Sequence, residues 1–226
     1  MDPSPALTER PQTAAFVSPE IAMAFVLRLR GRGVRDLAVL RAMEMAPRAL
    51  FLPQRQRGHA FRDMALPIGC GQTTAQPSII AVMLEALSLD ADCDVLEIGS
   101  GTGYATALLA QIARRVAGAE RYRGLALEAG ARLMRLGYSN ARVAWADGLA
   151  PPDSAARFSR ILVHACALEP PAVLLAQLAT PGVMVFGAPG PRGAIMRLRR
   201  EAHGDTLDKR GACRLGLLEH GVSLAL

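Results

Sequence analysis

The sequence has 226 residues, of which 51% are hydrophobic and 20% are charged, and its formal net charge is +6. This length is sufficient for one globular unit with a sizeable core. The sequence holds neither a dense basic run interleaved with aromatic residues nor an apolar run of about 18 residues, which argues against a nucleic-acid partner and against a membrane span. The cysteines are widely spaced and form no CxxC pair, which predicts reduced thiols, no bound metal and a cytoplasmic location; they are Cys70, Cys93, Cys166 and Cys213.

Three helices are predicted in the first part of the chain. Ser18 can cap a helix that has a proline in its first turn and ends at Gly31. Asp36 can cap a second helix, LAVLRAMEMA, which Pro47 ends. Pro77 begins a third helix, PSIIAVMLEAL, whose apolar residues follow helical spacing.

Strands and helices alternate in the second part of the chain. Short apolar segments are predicted as strands, and they are CDVLEIG, RVAGAE, ARVAWADG, SRILVHACA and GVMVFGA. The alternation is typical of an α/β fold with a doubly wound, mostly parallel, Rossmann-like sheet and helices on both faces. In the tail, IMRLRRE and CRLGLLEHGVSLAL are predicted to supply one or two edge strands.

These patterns divide the chain into three segments. Residues 1–17 are expected to form a flexible N-terminal arm. Residues 18–90 are expected to form a helical extension with a loop, and residues 91–226 an α/β core with C-terminal edge strands. The extension and the core are expected to form one globular unit.

The strongest chemical signal is the glycine turn VLEIGSGTGYA. Gly99, Gly101 and Gly103 lie between a predicted strand and a predicted helix. Glycines allow a sharp turn and a close approach of the backbone to a ligand, and a helix N-terminus offers free N–H groups to an anion. The spacing is GxGxG rather than GxGxxG, which argues against a nicotinamide cofactor.

Three acidic residues lie at the ends of successive predicted strands. Glu97 precedes the glycine turn, Glu120 ends the next strand where a ribose diol would be held, and Asp147 ends the strand after that. Taken alone, Glu120 or Asp147 would more often be a solvated surface acid. Taken in order, the acids and the glycines are expected to converge at the carboxyl edge of the sheet.

This constellation resembles the class I S-adenosylmethionine-dependent methyltransferases, and the chain is more narrowly similar to the protein-L-isoaspartate O-methyltransferase family. The narrower resemblance is carried by VLRAMEMAPRALFLP, FRDMALPIGCGQTTAQPS, VLEIGSGTGYATALLA, ADG and LLAQLATPG. It implies an enzyme that methylates the carboxylate of L-isoaspartyl residues in damaged proteins or peptides, as a step of protein repair. The cofactor would be S-adenosyl-L-methionine.

The resemblance also assigns the cofactor site. Glu97 and the glycine turn, including Ser100, would hold the methionine part of the cofactor. Glu120 would bind the ribose hydroxyls, and Asp147 with Gly148 would contact the adenine side.

The segment GCGQTTAQPS corresponds to the substrate loop of the family and includes Gln72 and Pro77. Thr73, Thr74 and Ala75 are its catalytic candidates, and Ala75 stands where the family usually has a serine. The alternative is an ordinary turn in which Thr74 caps the helix that begins at Pro77.

Three further positions depart from the family pattern. Ser159 stands where aspartate is common, His164 where threonine or a small residue is usual, and Gly187 where a proline is usual. His164 could serve as a base, or it could be a partly buried histidine bonded to backbone. Two alternatives therefore stay open: a methyltransferase of the same fold acting on a small molecule or modified peptide, and a cofactor-binding homologue without turnover. The sequence leaves the oligomeric state open.

Overall fold

The computed structural model describes residues 19–150 and 156–223, so the predicted arm and the Ser18 cap lie outside the described residues. The helices are α1 (Pro19–Gly31), α2 (Leu37–Met45), α3 (Pro77–Leu87), α4 (Tyr104–Ile112), α5 (Arg123–Arg135) and α6 (Ala172–Gln177). The strands are β1 (Asp94–Ile98), β2 (Arg115–Glu120), β3 (Ala141–Trp145), β4 (Phe158–Cys166), β5 (Leu178–Ala188), β6 (Ala194–Glu201) and β7 (Gly204–Gly211). Short 3₁₀ turns lie between α2 and α3, at Arg48–Phe51 and Gln54–His59.

The strands form one sheet in the order β3-β2-β1-β4-β5-β6-β7. β1 to β5 are parallel, and β6 and β7 are antiparallel. This confirms the predicted doubly wound, mostly parallel sheet. The direction of winding reverses between β1 and β4, and in such sheets a crevice opens outside the carboxyl ends of the strands at that point.

The helical extension shares a core with one face of the sheet. Phe25 and Leu29 of α1 belong to the same buried cluster as Val95 of β1 and Leu108 of α4. On the opposite face a second cluster packs β1, β4 and β5 against Leu174 of the short helix α6. Both faces of the sheet are therefore covered.

The second edge strand is not where the sequence predicted it. β7 is GDTLDKRG, and CRLGLLEHGVSLAL makes only isolated bridges, at Leu217 and Ser223, within the described residues. The reason is that β7 is a polar edge strand, held to β6 by backbone bonds and by cross-strand ion pairs such as Arg197 with Asp208. Apolar patterning therefore does not reveal it. Residues 213–219 of this apolar segment line the cavity described below instead.

None of the helices in the described part of the chain combines the length and the apolar character needed to cross a membrane.

Candidate active site

A cavity of about 890 Å³ opens at the carboxyl ends of β1 and β4. Its walls include the glycine turn after β1, the loop before α3 and residues 212–219 after β7. The ends of β2 and β4 and the residues that follow β3 also contribute. The cavity therefore lies at the point where the winding of the sheet reverses, where ligands bind in this class of sheet.

The glycine turn has the conformation that only glycine adopts without strain. The φ angles of Gly99, Gly101 and Gly103 are 82°, 56° and 85°. A Cβ atom at Gly101 would have Ile68 Cδ1 as its nearest neighbour, at 3.8 Å, so the space above Gly101 is open. A Cβ atom at Gly103 would lie 3.2 Å from Ala129 Cβ, so this glycine allows α4 to pack against α5 and does not line the cavity.

Two of the predicted acids line the cavity and are held by backbone groups. Glu120 is 5% exposed and accepts hydrogen bonds from the N–H groups of Gly101 and Tyr122, at 2.8 and 2.9 Å. Asp147 accepts from the N–H groups of Leu149 and Gly221, both at 2.8 Å. Each carboxylate oxygen keeps acceptor capacity beyond these bonds, so both side chains can also receive hydroxyl or amino groups of a ligand.

Gly148 follows Asp147 and also lines the cavity. A Cβ atom there would lie 2.6 Å from Ile98 Cγ2. Only glycine therefore lets the chain after β3 pass so close to the end of β1, which brings its backbone beside the cavity.

Glu97 lies beneath the cavity rather than on its wall. It is fully buried, its Oε2 accepts from the Thr106 hydroxyl at 2.5 Å, and its Oε1 lies 2.9 Å from His164 Nε2. His164 lies on the wall, with 11% of its side chain exposed. The Glu97 carboxylate, which was predicted to hold the cofactor, therefore does not reach the cavity. The His164 imidazole lies between this carboxylate and the cavity.

The hydroxyl of Ser100 also faces away from the cavity. Ser100 is 5% exposed, and a Cβ atom at Gly118 of β2 would collide with its Oγ. This Oγ has no hydrogen-bond partner among the described residues. Any contribution of Ser100 to a ligand site therefore comes from its backbone.

The predicted substrate loop is a small hairpin. The N–H of Ile68 donates to Gln72 O at 2.9 Å, and the N–H of Thr74 donates to Leu66 O at 2.8 Å. Cys70 and Gly71 both have positive φ, which fits a tight two-residue turn at the tip. Gln72 Nε2 donates to the Tyr122 hydroxyl at 3.0 Å, which joins the loop to the start of α5.

The three candidates in this loop have different environments. Thr74 does not cap α3, because Gln76 occupies the cap position without a side-chain bond and Thr74 Oγ1 accepts from Arg48 Nη2 at 2.8 Å. Thr73 is exposed, lines the cavity and has no side-chain hydrogen bond to the described residues. Ala75 lines the cavity and packs against the core. Pro77 opens α3 as predicted but is buried outside the cavity wall.

Arg48 is an organising residue that the sequence analysis did not single out. It is 1% exposed, and burial lowers the pKa of its guanidinium. Its nitrogens donate to the Thr74 hydroxyl and to four carbonyls, which belong to Ala60, Arg62, Met64 and Ala75. The signal in the sequence was the Pro-Arg pair after α2, within the first motif of the resemblance.

Two departures from the family pattern have a structural explanation. Ser159 lies at the opposite end of β4, where its hydroxyl accepts from the N–H of Asp94 at 3.1 Å and joins β1 to β4. A Cβ atom at Gly187 would lie 2.8 Å from Cys166 Sγ of β4 and 3.2 Å from Leu215 Cδ1, so a glycine lets β4 and the C-terminal segment pack there. Neither residue lines the cavity. Within the described residues no cluster of His, Cys, Asp or Glu could hold a metal ion.

Comparisons with known proteins support one family. The sequence profile described as "Protein-L-isoaspartate(D-aspartate) O-methyltransferase (PCMT)" matches residues 22–212. A protein-L-isoaspartate O-methyltransferase of Xanthobacter autotrophicus is 49% identical over 186 residues, covering 81% of this chain and 85% of that protein. One of Dinoroseobacter shibae is 41% identical over 208 residues, covering 91% of this chain and 96% of that protein.

Solved structures support the same fold. A protein-L-isoaspartate O-methyltransferase structure superposes with a TM-score of 0.77 at 23% identity, covering 89% of this chain and 67% of that chain. A second structure is that of a Plasmodium falciparum putative protein-L-isoaspartate O-methyltransferase in complex with S-adenosyl-L-homocysteine. It superposes with a TM-score of 0.76 at 20% identity, covering 87% of this chain and 97% of that chain. The profile, the relatives and the superposed fold agree: the chain belongs to the protein-L-isoaspartate O-methyltransferase family.

Proposed function

We propose that the cavity carries out S-adenosylmethionine-dependent methylation of L-isoaspartyl carboxylates in damaged proteins or peptides of the cytoplasm, as a repair step. The observation that carries the proposal is the arrangement around the cavity. The glycine turn and Glu120 lie on one wall, and the loop with Thr73 lies on another. The cofactor and the acceptor would therefore bind to different walls of the same cavity.

The residues present fit S-adenosylmethionine. The open space above Gly101 admits a ligand against the backbone, and Glu120 and Asp147 offer carboxylate oxygens for hydroxyl and amino groups. Glu97 would act indirectly, by holding His164 and Thr106 in place beneath the cofactor. When bound, S-adenosylmethionine would supply a methyl group on a cationic sulfur, so that a carboxylate oxygen takes the methyl group as an ester and S-adenosylhomocysteine is the leaving group.

The acceptor side needs orientation rather than a base. An aspartyl-type carboxyl group has an unperturbed pKa of about 4 and is already an anion at neutral pH. The protein therefore has to hold and align the carboxylate, and alignment alone can provide a large rate enhancement. Thr73 is suited to this role because its hydroxyl is exposed on the cavity, whereas the Thr74 hydroxyl is bound by Arg48. The Thr73 hydroxyl would thus orient the acceptor carboxylate in place of the family serine, whose position is occupied by Ala75.

A second candidate function is supported by the contact between Glu97 and His164. An imidazole tied through Nε2 to a buried carboxylate is arranged to accept a proton. A hydroxyl or amine acceptor has a proton to lose, unlike a carboxylate. The candidate is methyl transfer to such a group on a small molecule or a modified peptide, with His164 as the base.

The nature of the product separates the two functions. Purified protein is incubated with methyl-labelled S-adenosylmethionine and either an isoaspartyl peptide or a panel of hydroxyl and amine compounds. The main proposal expects a base-labile ester on the peptide, released as labelled methanol at high pH. A base-stable product, lost in His164→Gln, would overturn it in favour of the second function.

A further inference from the structure

Two arginines on the cavity wall are not used by the proposed reaction. Arg192 lies in the connection between β5 and β6, and Arg214 follows β7. Both are exposed, and both line the cavity. They therefore add positive charge to the part of the cavity wall that is formed by the C-terminal part of the chain.

The fold brings these two arginines together. Pairing of β6 with β7 reaches Ile195 and Gly211. Beyond that pair the segment before β6 and the segment after β7 stay in contact, since Cys213 Sγ donates to Ala194 O at 3.2 Å. Even a Cβ atom at Gly193 would collide with the carbonyl oxygen of Cys213. Arg192 is next to Gly193 and Arg214 is next to Cys213. The two arginines therefore lie at the same part of the cavity rim.

The acids of the cavity are bonded to groups other than these two arginines. Glu120 and Asp147 accept backbone N–H groups, and Glu219 forms an ion pair with Arg121. Within the described residues, no ion pair or side-chain hydrogen bond joins Arg192 or Arg214 to an acid. Among the described residues, the rim therefore presents two guanidinium groups that have no acidic partner and can bind an anion.

We propose that Arg192 and Arg214 form an acidic-peptide subsite, which binds carboxylates flanking the isoaspartyl residue of the acceptor. The inference rests on the proposed function and narrows its substrate class to acidic segments. Guanidinium groups bind carboxylates through paired hydrogen bonds, which gives the subsite directional selectivity as well as charge. Because both arginines are exposed, each contributes modestly, up to about fivefold in affinity, and salt weakens the effect.

The test uses three isoaspartyl peptides that differ only in the residues flanking the isoaspartate: glutamate, glutamine or lysine. At low salt the wild type is expected to prefer the glutamate peptide over the glutamine peptide about tenfold in kcat/KM, through KM. The double variant Arg192→Gln/Arg214→Gln is expected to lose this preference while keeping its affinity for S-adenosylhomocysteine. Arg199→Gln is the matched control, because Arg199 is an exposed arginine of β6 outside the cavity wall.

Binding is measured separately from turnover, by fluorescence anisotropy of the labelled peptides with S-adenosylhomocysteine present. Equal affinities of the wild type for the three peptides would overturn the subsite, as would a preference that survives in the double variant. Binding that favours the glutamate peptide without any methylation would instead keep the subsite and contradict the proposed function. The two failures are therefore distinguishable.

Discussion

Arg48 and Thr74 are joined by a partly buried hydrogen bond, with 2.8 Å between Nη2 of the guanidinium and Oγ1 of the hydroxyl. Arg48 follows α2 in the helical extension, and Thr74 belongs to the loop on the cavity. The bond therefore fixes the loop to the extension. It also leaves Thr73 as the threonine of the loop whose hydroxyl is free for an acceptor.

Replacing Arg48 is expected to destabilise the protein and loosen the loop. In Arg48→Met one buried and three partly buried carbonyls lose this donor, so the free energy of unfolding should fall by about 3 kcal/mol or more. Thr74→Val removes only one of the five acceptors and should cost about 1 kcal/mol. Urea denaturation measures both values. An Arg48→Met protein as stable as the wild type would contradict the role given to this guanidinium.

Gly101→Val is expected to abolish cofactor binding. The valine side chain would occupy the open space above the turn, and a φ of 56° strains any residue with a Cβ atom. Calorimetric titration with S-adenosylhomocysteine measures the loss. Gly33→Ala is the matched control, because Gly33 has a φ of 97° and does not line the cavity. Micromolar binding retained by Gly101→Val would remove the glycine turn from the cofactor site.

Glu120→Gln is expected to weaken binding of S-adenosylhomocysteine without unfolding the turn. The N–H groups of Gly101 and Tyr122 bind different oxygens of Glu120, so the amide keeps an acceptor for one of them. It also loses the charge that strengthens bonds to the ribose hydroxyls. Loss of one charged hydrogen bond corresponds to about 10-fold or more in Kd. Calorimetry measures this change, and thermal melting checks the fold. An unchanged Kd would mean that Glu120 only supports the turn.

Thr73→Val and Ala75→Ser are expected to change methyl transfer in opposite directions. Loss of the orienting hydroxyl should lower kcat/KM for an isoaspartyl peptide by about 30-fold, the value of one hydrogen bond to a charged group. Ala75→Ser restores the hydroxyl of the family and should raise the rate. Steady-state kinetics measure both, with cofactor affinity as the control. If Thr73→Val were fully active, the hydroxyl would have to come from elsewhere.

The thiols are expected to differ in reactivity. Cys213 is 3% exposed, and burial raises the pKa of its thiol to about 11. At pH 8 only about one in a thousand Cys213 thiols would be ionised, and the thiolate is the nucleophile. Cys70 is partly exposed at the tip of the loop, so iodoacetamide should label it first. Peptide mapping of the native protein identifies the labelled site, and prior labelling of Cys213 would contradict its buried position.

The sequence predicted the elements whose signals are local. The caps and apolar periods located most helices, and the doubly wound sheet and the family are confirmed. The glycine turn could be found because its φ angles require glycine at each of three positions. Glu120 and Asp147 could be found because each ends a strand, and the carboxyl ends of parallel strands meet at one edge.

What the sequence missed depends on contacts between distant residues. Arg48 reaches a loop 26 positions later, and no local pattern encodes that bond. Glu97 is an acidic residue at the end of β1, as expected for a cofactor ligand, yet its side chain is bound by Thr106 and His164 beneath the cavity. β7 was missed because its polar residues are held by pairing with β6 rather than by burial. Tertiary partners, not local propensity, decide these positions.

The central claim is that an isoaspartyl carboxylate is methylated although Ala75 carries no hydroxyl. The most direct measurement is incorporation of labelled methyl groups from S-adenosylmethionine into two peptides of one sequence, one with L-isoaspartate and one with normal aspartate. The account predicts base-labile label in the isoaspartyl peptide alone. Equal label in both peptides, or no label in either while the cofactor still binds, would contradict it.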